Sequence, residues 1–348
     1  MNKILNNLGI IQARTNSNRF PGKVLKEIRG MPMILFQMNR LKKSKNIDKF
    51  VLATSINKED DHLAHLVKGS GYEVFRGDLN DVLERFYNCS RLYKSRNIIR
   101  ITGDCPLIDP FLIDELIQNF IEMDWDYLSN CADPDNLSVP CGFDAEVFKS
   151  QVLENAFQNA NLPSEREHVT PWFRTKQANL KWSHYIHQPK RKNYRVTVDE
   201  EDDLKVVRKI ANYFLDKEKF FNVDDVVNFL KKNENIAKIN SKIIRHEGFL
   251  KSKLIDKEFI EQKNNLRNSG KTLWSKAKNI IPGGNMMLSK HPEINLPGKW
   301  PTYFSKAKGC RASPARIAVA SSKARWQLGF PRRRSESSIA GRSSWTRL

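Results

Sequence analysis

Hydrophobic and polar positions along the chain alternate between two periods. Leu8–Ile11 is an unbroken apolar run, which predicts a strand buried on both faces. Ile47–Thr54, Tyr72–Arg76 and Asn97–Thr102 predict further strands. Between them, Lys58–Gly71 and Asp78–Lys94 carry the helical period, the first ending at a glycine. Asp109-Pro110 supplies an N-cap and a proline at the first helical position, opening a helix to about Met123. Trp125–Ser129 and Phe143–Phe148 are strand-like, and helices follow near 150–160 and 165–177. Strands at 182–187 and 194–198 lead to a helix from about Glu200 to Lys217, and Val223–Lys232 is a last short helix. This alternation predicts an α/β fold: a mostly parallel sheet with helices on both faces. Ligands of such sheets sit at the carboxyl ends of the strands.

Three stretches fall at predicted strand ends. Behind the first strand, Arg14, Arg19 and Lys23 share a short loop with Asn16, Ser17 and Gly22, which let the backbone turn and aim N–H groups at an anion. It reads either as a solvated basic loop or as a polyphosphate seat, and it is not a Walker loop. Thr102-Gly-Asp-Cys-Pro puts Asp104 beyond a buried strand, as a turn aspartate or as a ligand for Mg²⁺, which takes few protein oxygens. Asp199 ends the 194–198 segment; with Asp202 it reads as a helix cap, or as the second carboxylate a metal needs. Ser164-x-x-Glu167 reads as a capping box, which leaves Arg166 and His168 as candidates to face a substrate. Asp144 and Glu146 are expected to share one strand face, as candidate acceptors for the hydroxyls of a ligand. Asp81 and Arg85 lie one helical turn apart, as a possible surface ion pair. His62, His65, His184 and His187 are assigned to surface or packing.

Composition narrows the class. The 348 residues carry a net charge of +20, of which the last 38 contribute +8. The rest is spread along the chain without aromatic interleaving, which argues against a nucleic-acid binder. No apolar run is long enough to span a bilayer, and the N-terminus lacks a signal-peptide core. Five cysteines without C-x-x-C pairing argue against a disulfide framework, so a cytoplasmic location is expected.

Several motifs carry a resemblance. Gln12-Ala-Arg with Ser17, Arg19, Pro21-Gly-Lys and Leu25 is similar to the entry signature of sugar-activating cytidylyltransferases. So are Val51-Leu-Ala-Thr-Ser55, Phe75-Arg-Gly-Asp78 with Asp81-Val-Leu-Glu-Arg85, Arg100–Asp109, Gly142–Phe148 and Ser164–Pro171. The set most resembles the spore coat polysaccharide branch, related to the synthetases of CMP-activated Kdo and neuraminate, and covers about residues 7–232. The resemblance implies a Rossmann-like nucleotide-diphospho-sugar transferase fold and CMP transfer from CTP to a sugar acid or sugar phosphate. It implies that Arg14, Arg19 and Lys23 hold the triphosphate, with Arg14, Lys23 and Asp104 catalytic. Gln12, Ala13, Thr54 and Ser55, with Asp81 and Arg85, would line the nucleotide pocket. Asp104 and Asp199 would hold Mg²⁺, and relatives suggest a homodimer.

Residues 271–310 resemble the start of a class III aminotransferase of the glutamate-1-semialdehyde aminomutase type. The family's pyridoxal-binding lysine lies farther downstream, so no pyridoxal phosphate is expected. The expected organisation is a cytidylyltransferase domain at 1–232, a linker at 233–270, this fragment, and an unstructured basic tail at 311–348. Competing readings are a nucleotide-sugar glycosyltransferase, or a non-enzymatic basic module acting through the tail.

Overall fold

The computed structural model describes residues 4–132, 137–188, 194–243 and 252–264, together with residue 279 and the backbone of 304–308 and 311–314. Seven strands form one sheet: β1 (Leu5–Gln12), β2 (Lys49–Ser55), β3 (Glu73–Gly77), β4 (Ser95–Thr102), β5 (Tyr127–Ser129), β6 (Glu146–Lys149) and β7 (Trp182–His184). Their order is β3-β2-β1-β4-β6-β5-β7. β6 runs antiparallel to both its neighbours, and the remaining pairs are parallel. The mostly parallel α/β sheet read from the alternation is therefore present, with one reversed strand.

Both faces are covered, because alternate residues of each central strand are apolar. Ile11, Leu52, Ile99 and Ile101 pack beneath helices α1 (Met33–Leu41), α2 (Asp61–Gly69), α4 (Pro110–Glu122), α7 (Glu201–Leu215) and α8 (Val223–Lys232). Leu8, Ile10, Val51, Ile98 and Phe148 pack beneath α3 (Val82–Tyr93) and α5 (Ser150–Asn159). Gly9 permits this packing, since a Cβ there would stand 2.6 Å from the Phe50 ring. Asp109 caps α4 as expected, and its second oxygen accepts from the Val223 N–H, tying α4 to α8.

Two predicted elements differ. The helix expected over 165–177 is α6 (Pro163–His168) followed by a 3₁₀ turn, Pro171–Arg174. Val169 breaks it at φ 70°, a conformation a β-branched residue rarely adopts. The 194–198 segment forms only an isolated bridge between Arg195 and Cys141. The 233–270 stretch includes a short helix, Glu234–Ala237, and the buried side chains of Asn240, Ser252 and Asp256.

Residues to Asp256 form one compact unit. In the second unit, Phe304–Lys308 and Arg311–Pro314 pair as antiparallel strands, the latter within the stretch expected to lack structure. Most of the aminotransferase-like fragment, and the tail beyond Pro314, lie outside the described residues. No helix among the described residues is long and apolar enough to cross a membrane.

Candidate active site

The loop after β1 is fastened by a residue that sequence reasoning missed. The Thr15 N–H and hydroxyl both donate to Asp60 Oδ1, each at 2.7 Å. The Ser55 N–H and hydroxyl donate to Asp60 Oδ2, at 3.2 and 2.5 Å. Burial would raise the Asp60 carboxyl, but these hydrogen bonds hold it below the usual range. Asp60 thus locks the cationic loop onto the end of β2. The only local signal was an aspartate soon after a strand, which many turns share.

Lys23 does not point along the loop towards solvent. Its Nζ lies 2.9 Å from Asp199 Oδ1, 3.5 Å from Asp104 Oδ2 and 2.8 Å from the Val198 carbonyl. Asp104 and Asp199, 95 positions apart, therefore meet at one ammonium. The Val198 N–H and Thr197 hydroxyl donate to the Asp104 carbonyl, at 2.8 and 3.1 Å, and so align the two segments. Gly103 lets the Asp104 turn lie close against the end of β1, since a Cβ there would be 2.7 Å from that of Ala13. Arg19 and Arg195 also reach Asp199, at 2.9 and 2.8 Å. Burial pushes the Asp199 carboxyl up, but Lys23, Arg19 and Arg195 outweigh it and bring it to about 2. Burial likewise opposes the Lys23 charge, and Asp104 and Asp199 reverse that, leaving its pKa raised.

Arg195 was also missed, although it lies four positions before Asp199 in an extended segment, on the same side by period 2. Asp203 fixes it at 2.9 Å, accepts from the Asp199 and Glu200 N–H groups, and is fully buried. Capping of α7 thus falls to Asp203, not to Asp202, which pairs outward with Lys205. Two carboxylates aimed at one cation form a donor set that fits Mg²⁺, which takes one or two protein carboxylates and keeps water and phosphate for the rest. No cluster of three or more His, Cys, Asp or Glu that could hold a metal occurs among the described residues.

Gln12, Ala13, Thr54 and Ser55 gather at the adjoining ends of β1 and β2, where Gln12 pairs in register with Ala53. Arg14, in the same loop, is exposed. Arg85, almost wholly buried, donates to the Ala53 and Leu79 carbonyls. Burial, reinforced by the Arg14 charge, brings its pKa down to about 10. Asp81 caps α3 through the Glu84 N–H and ion-pairs with Arg166. It is therefore engaged across the fold, not in the surface pair with Arg85 that helical spacing suggested. Arg166 also donates to the Phe157 carbonyl.

The proposed sugar-facing carboxylates separate. β6 begins at Glu146, so Asp144 lies in the preceding loop, where Cys141 Sγ stands 3.9 Å from Oδ2. Glu146 is buried against the Arg100 guanidinium, and the Tyr127 hydroxyl donates to it at 2.5 Å. Burial raises its carboxyl, and Arg100 then Tyr127 more than offset that. The alternation expected to turn Glu146 towards sugar hydroxyls instead aims it at its strand partner, since Arg100 and Glu146 are register partners. Arg100 Nε in turn donates to Gln12 Oε1 at 3.1 Å.

The capping box at Ser164 and Glu167 is likewise replaced. Glu165 accepts from the Asn161 and Leu162 N–H groups, while the Ser164 N–H and hydroxyl donate to Asp256. Ser252 lies 2.9 Å from both Glu167 Oε2 and His168 Nε2. Burial lowers the pKa of His168. His187 sits 3.6 Å from Glu115 and 3.9 Å from Asp224, so it packs between two carboxylates. Cys89, Cys105, Cys131 and Cys141 form no disulfide among the described residues.

Comparison with known proteins bears on the family. An uncharacterized protein of Methanocaldococcus jannaschii is 38% identical over 241 residues, spanning 68% of this chain and 95% of that protein. The spore coat polysaccharide biosynthesis protein SpsF of Bacillus subtilis is 35% identical over 210 residues, spanning 58% and 84%. A cytidylyltransferase structure from Leptospira borgpetersenii superposes with a TM-score of 0.63 at 32% identity, over 70% of this chain and all of that one. Residues 8–220, which hold the sheet, the cationic loop, Asp104 and Asp199, match the profile described as cytidylyltransferase, and the chain belongs to that family.

Proposed function

We propose that the chain transfers CMP from CTP to an acidic sugar, releasing pyrophosphate and furnishing an activated sugar for surface polysaccharide. The observation that carries this reading is the meeting of Asp104 and Asp199 at one cation, beside the arginines of the first loop. Asp104 and Asp199 would hold Mg²⁺, which supplies charge neutralisation and orientation at the transferring phosphorus. Arg14, Arg19 and Lys23 then bind the triphosphate and stabilise the charge that grows on the leaving pyrophosphate. The ends of β1 and β2 receive the nucleoside, with Gln12 held by Arg100 so that its amide N–H groups remain for the ligand.

An acceptor oxygen attacks the α-phosphorus in line, its bond forming as the bond to pyrophosphate breaks. Its proton leaves to solvent, and no side chain is assigned as base. The sugar-acid class rests on the resemblance to the Kdo and neuraminate synthetases, with His168, Arg166 and Asp144 as the neighbouring candidates for acceptor contacts. A glycosyltransferase reading is disfavoured because a finished sugar nucleotide carries at most two phosphates, fewer than the cationic loop can match. Pyrophosphate release from each of the four NTPs, with Mg²⁺ and a panel including 3-deoxy-manno-octulosonate and sugar 1-phosphates, tests the proposal. CTP-selective release that needs an acidic sugar is expected; no release from CTP with any acceptor, or turnover of a sugar nucleotide to a nucleoside mono- or diphosphate, would sink it.

A further inference from the structure

We infer that Lys23 is the resident counter-ion of the metal seat, holding Asp104 and Asp199 until a divalent cation arrives together with a nucleotide's phosphates. The inference rests on the reading that these two carboxylates bind metal. Lys23 Nζ contacts both of them, at 3.5 and 2.9 Å. Among the described residues, Lys23, Arg19 and Arg195 face Asp104, Asp199 and Asp203, three against three. A bare dication added to this balance would leave two surplus charges in a partly buried site. The same dication accompanied by a triphosphate would not, so metal and nucleotide binding are coupled by charge.

Lys23 is the cation built to leave. Arg195 is clamped by the fully buried Asp203, whereas an ammonium on a four-carbon stem has several rotamers and no planar fork to satisfy. Its unequal contacts matter as well. Among the described residues, Asp199 accepts from three cations, while Asp104, 27% exposed, has the longer contact to Lys23 and a 3.5 Å contact from its neighbouring Cys105 thiol. A cation entering at Asp104 displaces Lys23 from its weaker attachment, and the released ammonium lies beside the arriving phosphates.

The test is a Mn²⁺ titration of the full chain without nucleotide, followed by electron paramagnetic resonance of the free ion. Lys23→Met should bind Mn²⁺ at least about tenfold more tightly than the parent, because an ammonium no longer competes within a few ångströms. Lys23→Gln repeats the measurement with a polar neutral side chain, should the methionine variant fold poorly. Adding Asp104→Asn to either variant should abolish the gain. Equal Mn²⁺ affinity of parent and Lys23 variants overturns the counter-ion inference while leaving the metal reading standing. A gain that survives Asp104→Asn means instead that the carboxylate reading itself is wrong.

Discussion

Two ion networks stand on neighbouring strands and differ in what their surroundings allow. Arg100 and Glu146 are register partners on β4 and β6, enclosed beneath the sheet with the Tyr127 hydroxyl. Lys23, Asp104, Asp199 and Arg195 sit in loops that bring them together, and the Asp104 side chain stays 27% exposed. A pair fixed by backbone register cannot exchange partners without breaking the sheet. A cluster held by loop side chains can, and that freedom is what a site that must admit a cation and a triphosphate requires. Similar charges thus serve architecture in one place and chemistry in the other.

The sharpest way to break the comparison is to remove one member of each network. Glu146→Ala leaves a buried guanidinium uncompensated and should cost about 3–5 kcal/mol of stability, read from urea unfolding. Asp104→Ala should lower pyrophosphate release on the order of 10²–10³-fold, with urea stability changed by less than about 1 kcal/mol. A reversal of these two outcomes would exchange the roles given to the networks.

Gly142 lies between the networks at φ 114°, where a Cβ would stand 2.5 Å from the Thr197 nitrogen. Gly142→Ala should therefore cost about 3 kcal/mol and loosen the Asp104–Asp199 arrangement, lowering both melting temperature and CTP affinity.

Acid provides the gentlest probe. The Asp199 carboxyl lies at about 2 in the fold, below its ordinary value. Its stabilisation is thus complete above about pH 4 and fades as pH falls towards 2, about 2 kcal/mol in all. The stability difference between the parent and Asp199→Asn should shrink over that window, and a difference constant from pH 5 to 2 would contradict the assignment.

What the sequence made legible was local. Period-2 and helical patterning located most of the strands, and loop chemistry singled out Arg19, Lys23, Asp104 and Asp199, which lie together although the segment before Asp199 forms only an isolated bridge. Hidden were the partners, because a pattern reveals which face a residue occupies but not what crosses that face. Asp81 meets Arg166 from 85 positions away, and Lys23 meets Asp199 from 176. Ser164 looked like a cap because its spacing to Glu167 matched a local motif, yet Asp256, 92 positions on, takes its hydroxyl. Asp60 escaped notice because one carboxylate satisfying four donors depends on two loops meeting, which no window of sequence contains.

Calorimetric titration of CTP, with and without Mg²⁺, into the parent and an Asp104→Ala/Asp199→Ala double variant tests the central claim most directly. CTP should bind the parent more tightly than UTP or ATP and gain affinity with Mg²⁺, and the double variant should lose that gain. A Mg²⁺-dependent gain of equal size in the double variant would contradict the account.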